Sequence, residues 1–240
     1  MSDINDAGQL PDRDGNDGPK RNRTLLALVA VAALAVGFLL GFLARIPLED
    51  SRPADPVAGS VDVGFAQDMT VHHNQAIEMA AVALTNSDDQ YVRNLSYDIL
   101  TTQQNQVGQM QGWLTLWGQP PLPSGQYMAW MTETGEHGHA SGEAAHAAGG
   151  DGVGAMPGMA SAEDLAELRA ARGTELDVLF LQLMLRHHEG GLPMMEYGAQ
   201  YASITAVRNL AQTMVNTQTG ESELMTTMLA ERGAEPLPLN

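Results

Sequence analysis

The chain has no cysteine among its 240 residues. No disulfide can therefore staple its fold, and no thiolate can hold a metal. It has a single lysine, Lys20, and its 29 acidic against 12 basic residues leave a formal net charge of -17. A surface so poor in cations cannot neutralise a phosphate backbone, which excludes nucleic acid as a partner of the part beyond residue 44. Strand-type alternation is absent, as are a Ser/His/Asp arrangement and a glycine-rich phosphate loop. Two metalloenzyme patterns start and fail. Di-iron bundles need Glu-x-x-His on two core helices, but Glu136 to His139 and Glu143 to His146 fall in a Gly/Ala-rich stretch. His188-Glu189 opens like a zincin motif, yet Leu192 stands where its second histidine should be. No catalytic residue is assigned, and the chain is not expected to be an enzyme.

Methionine is plentiful, with 14 residues beside 7 histidines. Where thiols are missing, a site for a soft metal must be made of thioether and imidazole. From Leu25 to Leu43 run nineteen consecutive apolar or glycine residues, about 28 Å as a helix and close to the hydrocarbon thickness of a bilayer. Residues 1–23 read as a disordered cytoplasmic tail, 24–44 as a transmembrane anchor and 45–60, with Pro47, Pro53 and Pro56, as a stalk. Lys20, Arg21 and Arg23 before the span place the N-terminus inside, giving a single-pass plasma-membrane protein with an extracytoplasmic C-terminal domain. The alternative is a signal peptide, which would leave a secreted or periplasmic protein. Gly37 and Gly41 form a G-x-x-x-G, a weak signal for a homo-oligomer.

Read against itself at a shift of 115, the rest of the chain repeats. Phe65, Gln67, Met69, His72, His73 and Met79 recur as Phe180, Gln182, Met184, His187, His188 and Met194. Val92-Arg93-Asn94-Leu95 recurs as Val207-Arg208-Asn209-Leu210, and Gln103 and Met110 as Gln218 and Met225. A gapless duplication implies two copies of one structural unit that share an interior. Within residues 61–240, repeat 1 covers 62–117, a flexible His/Met/Gly connection covers 118–160 and repeat 2 covers 161–232. Helical periodicity predicts helices over 62–86, 89–117, 175–201 and 204–231, with an aspartate capping the second, Thr174 the third and Ser203 the fourth. A shorter helix, about 161–171, begins at Ser161 and ends at Gly173. Two helix hairpins make an all-α four-helix bundle.

Met69 precedes His72 and His73 by three and four residues, and Met79 lies two turns beyond His72, so they form one helical stripe. Met184, His187, His188 and Met194 repeat it. Neutral imidazole with thioether suits copper, Cu(I) before Cu(II), with zinc or iron as alternatives. These eight residues are the candidate metal ligands, against the plainer reading that the methionines fill the core. His137, His139, His146, Met156 and Met159 in the connection form a weaker group. Met128 and Met131, beside Trp130, read equally as an apolar patch or as extra soft ligands. In the second copy Pro193 stands where the first has Glu78, which predicts a kink and makes the second site less secure.

The run Phe65-Ala-Gln-Asp-Met-Thr-Val-His-His-Asn-Gln-Ala-Ile-Glu-Met-Ala80 resembles the first signature of the DUF305 family, and Phe180-Leu-Gln-Leu-Met-Leu-Arg-His-His-Glu-Gly190 resembles the second. Met156-Pro-Gly-Met159 before Ser161-Ala-Glu-Asp-Leu165, and Trp113 to Gly118, also fit. The resemblance covers roughly residues 60–232. It implies a duplicated, ferritin-like, extracytoplasmic helical bundle of a family in which some members bind copper and support copper resistance. It leaves open whether copper is sequestered or handed to a transfer partner. A metal-dependent oxidoreductase and a purely structural or partner-binding bundle are the competing readings.

Overall fold

The computed structural model describes residues 20–49, 54–131 and 153–240. The chain divides into two units, residues 1–54 and 55–240. In the first, α1 runs from Lys20 to Glu49. Its stretch Arg23–Ala44 has a mean hydropathy of 2.7, long and apolar enough to cross a membrane, and fits a single span or a signal segment equally. The side chains of that stretch are exposed.

The second unit holds α2 (Val61–Asn86), α3 (Gln90–Leu116), α4 (Ala162–Ala170), α5 (Gly173–Tyr201) and α6 (Thr205–Glu231). Among the described residues there is no strand, only one isolated bridge between Tyr127 and Val153. The hairpins α2–α3 and α5–α6 pack through α2 and α5 into a four-helix bundle. Local chemistry sets most of the ends. Ser60 caps α2, Asp89 caps α3 through the amides of Tyr91 and Val92, and Ser161 and Asp164 form a capping box on α4. α4 stops at Ala170 rather than at Gly173; that glycine, at φ 58°, opens α5 instead.

Neither Thr174 nor Ser203 caps a helix. Arg172 and Ile204 occupy the cap positions of α5 and α6, without side-chain caps. The amides at the entrance to α6 are satisfied from a distance: both oxygens of buried Asp62, at the start of α2, accept from Ser203 N at 3.0 Å and Ile204 N at 2.8 Å. The duplicated position does a related job, since Asp177 near the start of α5 accepts from Ser87 Oγ at 2.5 Å, in the turn after α2. The start of each helix thus meets the end of the other, so α2 and α5 lie antiparallel. α5 continues through Pro193. The carbonyl that proline frees belongs to Glu189, and both residues are exposed, so water can satisfy it.

The core consists of two apolar clusters. One joins Met79, Ala83, Ile99, Phe180, Met184 and Met225; the other joins Phe65, Met69, Met110, Met194, Val207 and Met214. Between their positions on α2, α3, α5 and α6 lie the buried polar residues His72, His73, Gln103, Gln106, His187, His188 and Gln218. Asp62→Ala should destabilise the domain by about 1–3 kcal/mol, because it strands two helix-entrance amides. Thermal or urea unfolding of the variant measures this, and an unchanged midpoint would contradict the assignment.

Candidate metal centre

Helical spacing puts His72 and His187 on the facing sides of α2 and α5, and the antiparallel crossing brings their rings together, with centroids 3.7 Å apart and planes at 37°. Within each pair the centroids stand 6.4 Å apart for His72 and His73, and 6.3 Å for His187 and His188. All four are at most 1% exposed. They form a row across the middle of the bundle, related by the same approximate two-fold symmetry as the sequence repeat.

Each outer ring has a partner on its own hairpin. His73 Nε2 lies 2.8 Å from Gln106 Oε1, and His188 Nε2 lies 2.7 Å from a carboxylate oxygen of Glu221. Gln106 and Glu221 are themselves 115 positions apart. His187 Nε2 lies 3.0 Å from the backbone carbonyl of His72. A carbonyl and a carboxylate can only accept, so His187 and His188 carry a proton on Nε2. The Nδ1 atoms of all four rings, and Nε2 of His72, are buried without a hydrogen-bond partner. So are both polar atoms of the Gln103 amide and the Gln218 carbonyl oxygen.

Burial decides the charge state. Desolvation, reinforced by the neighbouring imidazoles His73 and His188, lowers His72 to about 3, with the nearby Pro157 carbonyl acting weakly the other way. Desolvation lowers His73 to about 4, against its hydrogen bond to Gln106, and holds His187 well below the ordinary imidazole value. Neutral rings with unshared nitrogen lone pairs are the form in which histidine ligates a metal.

Met69, Met79, Met184 and Met194 are fully buried, but they flank the histidine row rather than lying in it. Antiparallel packing puts Met69 with Met194 in one apolar cluster, and Met79 with Met184 in the other. The one-helix stripe read from the sequence therefore becomes two mixed sets, one at each side of the row. Met194 is buried as fully as Met79 despite Pro193. Of the connection, His137, His139 and His146 lie outside the described residues. Met156 is buried and Met159 partly so, both against the cluster that holds Met69.

The segment carrying them is tied down. Gly158, at φ 78°, packs so closely on α5 that a Cβ there would stand 2.5 Å from the Arg186 carbonyl oxygen, and one on Gly190 would stand 2.4 Å from that of Pro157. Gln75 Nε2 donates to the Ala160 carbonyl at 2.9 Å, and Ala160 N donates back to Gln75 Oε1 at 2.7 Å. The other end is anchored by Asp68, which accepts from Met128 N at 2.6 Å and Trp130 Nε1 at 2.7 Å. Burial raises the Asp68 carboxyl above its usual range, against these two bonds. Met128 and Met131 are buried with Trp130 in the apolar cluster.

In donor chemistry the row fits a soft or borderline metal such as copper: neutral imidazoles with free lone pairs, thioethers on both sides, and no thiol. It is not a ready-made cage. Among the described residues no group of three or more His, Asp or Glu is disposed to hold one ion.

The model of the DUF305 family, described as a domain of unknown function, matches residues 62–229. The chain belongs to the DUF305 family. It is similar to a DUF305 protein from Streptomyces coelicolor, provisionally described as secreted, at 39% identity and a TM-score of 0.65, covering 76% of this chain and 99% of that one. It is also similar to a DUF305 fragment from Deinococcus radiodurans, at 34% identity and a TM-score of 0.55, covering 73% and 99%. CopM in its Cu(I)-bound form matches at 21% identity and a TM-score of 0.51, covering 71% of this chain and 96% of that one. At that identity the likeness carries the fold alone. None of the curated proteins matches this chain.

The lowered imidazoles set a pH dependence for the metal-free protein. Above about pH 6.5 both folded and unfolded chains hold these rings neutral, and the fold keeps its full stability. Below that value the unfolded chain takes up protons that the native rings refuse, down to about 4 at His73 and about 3 at His72. Stability should then fall by about 1.4 kcal/mol per pH unit for each such ring. Melting temperature measured from pH 7 to 5 should drop in the wild type and less steeply in His72→Gln/His73→Gln. Parallel slopes would contradict the assignment.

Proposed function

We propose that the helical domain binds copper through His72, His73, His187 and His188, with Met69, Met79, Met184 and Met194 supplying thioether from either side. It holds or passes on the ion outside the cytoplasm, without turnover. The observation that supports this most is the row of four buried imidazoles whose Nδ1 atoms have no partner. An unsatisfied buried polar atom costs about 1–3 kcal/mol, and a fold that keeps five such ring nitrogens together has a use for them. The chain is also similar in fold to CopM, which has been solved in Cu(I)-, Cu(II)- and silver-bound forms. Thioether without thiol favours Cu(I) over Zn²⁺. The N-terminal helix serves as a membrane anchor, with the bundle on the extracytoplasmic side.

A second reading has its own observation. Three of the rings already make one hydrogen bond each, and among the described residues no three carboxylate or imidazole side chains converge, as expected if the row only fixes the pairing of the hairpins.

Metal competition separates the two. The purified protein under reducing conditions should retain Cu(I) against excess Zn²⁺; equal or tighter zinc binding removes the copper assignment, and no uptake of either metal leaves the structural role. Because His72 and His187 touch, His72→Ala/His73→Ala and His187→Ala/His188→Ala should be non-additive in copper affinity. Strictly additive losses would mean two separate sites.

A further inference from the structure

The symmetry makes one difference between the two halves of the histidine row conspicuous, the partner of the outer ring: Gln106 faces His73, and Glu221 faces His188. The consequences for the two rings are unequal. A glutamine amide can present either its oxygen or its nitrogen, so Gln106 accommodates either tautomer of His73. A carboxylate only accepts, so Glu221 holds the proton of His188 on Nε2. Its Nδ1 is then buried with no acceptor in reach and presents a lone pair. His187 is held the same way by the His72 carbonyl, whereas neither nitrogen of His72 has a partner. Both histidines of the second repeat are thus set as Nδ1 donors, and neither histidine of the first is.

Charge reinforces the difference. A cation taken into a buried neutral interior loses its hydration, and a neighbouring carboxylate offsets part of that loss. Glu221 is the one carboxylate among the described residues that hydrogen-bonds any of the four histidines, and its side chain is 15% exposed against 0% for that of His188. It links the row to solvent. A carboxylate behind a ligating histidine also raises the basicity of the ring.

Resting on the copper reading above, we propose that Glu221 is a positioning residue that makes the second repeat the anchoring half of the site, by fixing His188 as an Nδ1 donor and supplying the charge that offsets a bound cation. The first repeat, with amide-held His73 and unheld His72, adapts to the ion.

The test uses the full chain, with Cu(I) under reducing conditions and a competing chelator. Glu221→Gln, nearly isosteric, should weaken Cu(I) binding about 10- to 100-fold. In the wild type His188→Ala should cost more affinity than His73→Ala, a comparison that leaves Glu221 untouched and stands even where Glu221→Gln fails to fold. The exchange Gln106→Glu/Glu221→Gln should recover most of the affinity and reverse that order, an outcome that a merely structural glutamate would not give. In the metal-free protein, imidazole ¹⁵N shifts should show His188 protonated on Nε2 in the wild type and a tautomer mixture in Glu221→Gln. Wild-type copper binding with no loss in Glu221→Gln, or with His73→Ala costing as much as His188→Ala, overturns this proposal and leaves the copper reading standing. Absence of copper binding in the wild type overturns both.

Discussion

Four imidazoles buried at the crossing of α2 and α5 are the constraint around which the bundle is arranged. An apolar residue at each place would cost nothing in lost hydration, whereas here five ring nitrogens, the Gln103 amide and the Gln218 carbonyl oxygen lack partners. The fold carries this because apolar packing flanks the row on both sides, in two clusters of buried residues built largely of Met, Leu, Val and Ala. A ligand that satisfied those nitrogens in the native state alone would stabilise the fold by mass action. Local rules of good packing are broken in one layer and kept elsewhere, the distribution expected where a site has been placed in a scaffold.

Duplication explains the economy of the arrangement. One helix face, used twice in antiparallel fashion, produces a site with two-fold character from a single set of positions. It also inverts the order along the row, so that Met69 meets Met194 rather than Met184. Asp62 and Asp177 reinforce that pairing from the ends, each bonding to the turn beyond the opposite helix. A slip of α2 along α5 would break those bonds and part His72 from His187 together, so the hairpin register and the site geometry are set by the same contacts.

The helices, the duplication and the membership in a four-helix bundle were legible in the sequence because they rest on periodicity and local capping. What was not legible depends on distant groups. The amides at the entrance to α6 are satisfied by Asp62, 141 positions from Ser203, and no nearby residue announces it. The ends of the connection read as a loose linker, yet Trp130 lies against Gly64, where a Cβ would stand 2.2 Å from its ring, and Asp68 holds its indole. Only the folded chain reveals that Gly64 leaves room for Trp130. Gln106 and Glu221 carried a faint signal, three residues beyond the matched Gln103 and Gln218. Their difference in chemistry hid their equivalence.

The contact between His72 and His187 also bears on how such a site would fill. Imidazole lone pairs lie in the ring plane, and two rings tilted at 37° with centroids only 3.7 Å apart meet through their faces rather than edge to edge. Sharing a ligand therefore requires one ring to turn. His187 is held by the His72 carbonyl, whereas neither ring nitrogen of His72 makes a well-formed hydrogen bond and only the Pro157 carbonyl acts on it. His72 packs on Gly191, where even a methyl group would come within 2.8 Å of its Cε1. The absent side chain there is what lets the ring lie against α5. Of the four rings, His72 is the one held least, so the adaptable half of the row is the one contributed by α2, and the fixed half the one contributed by α5.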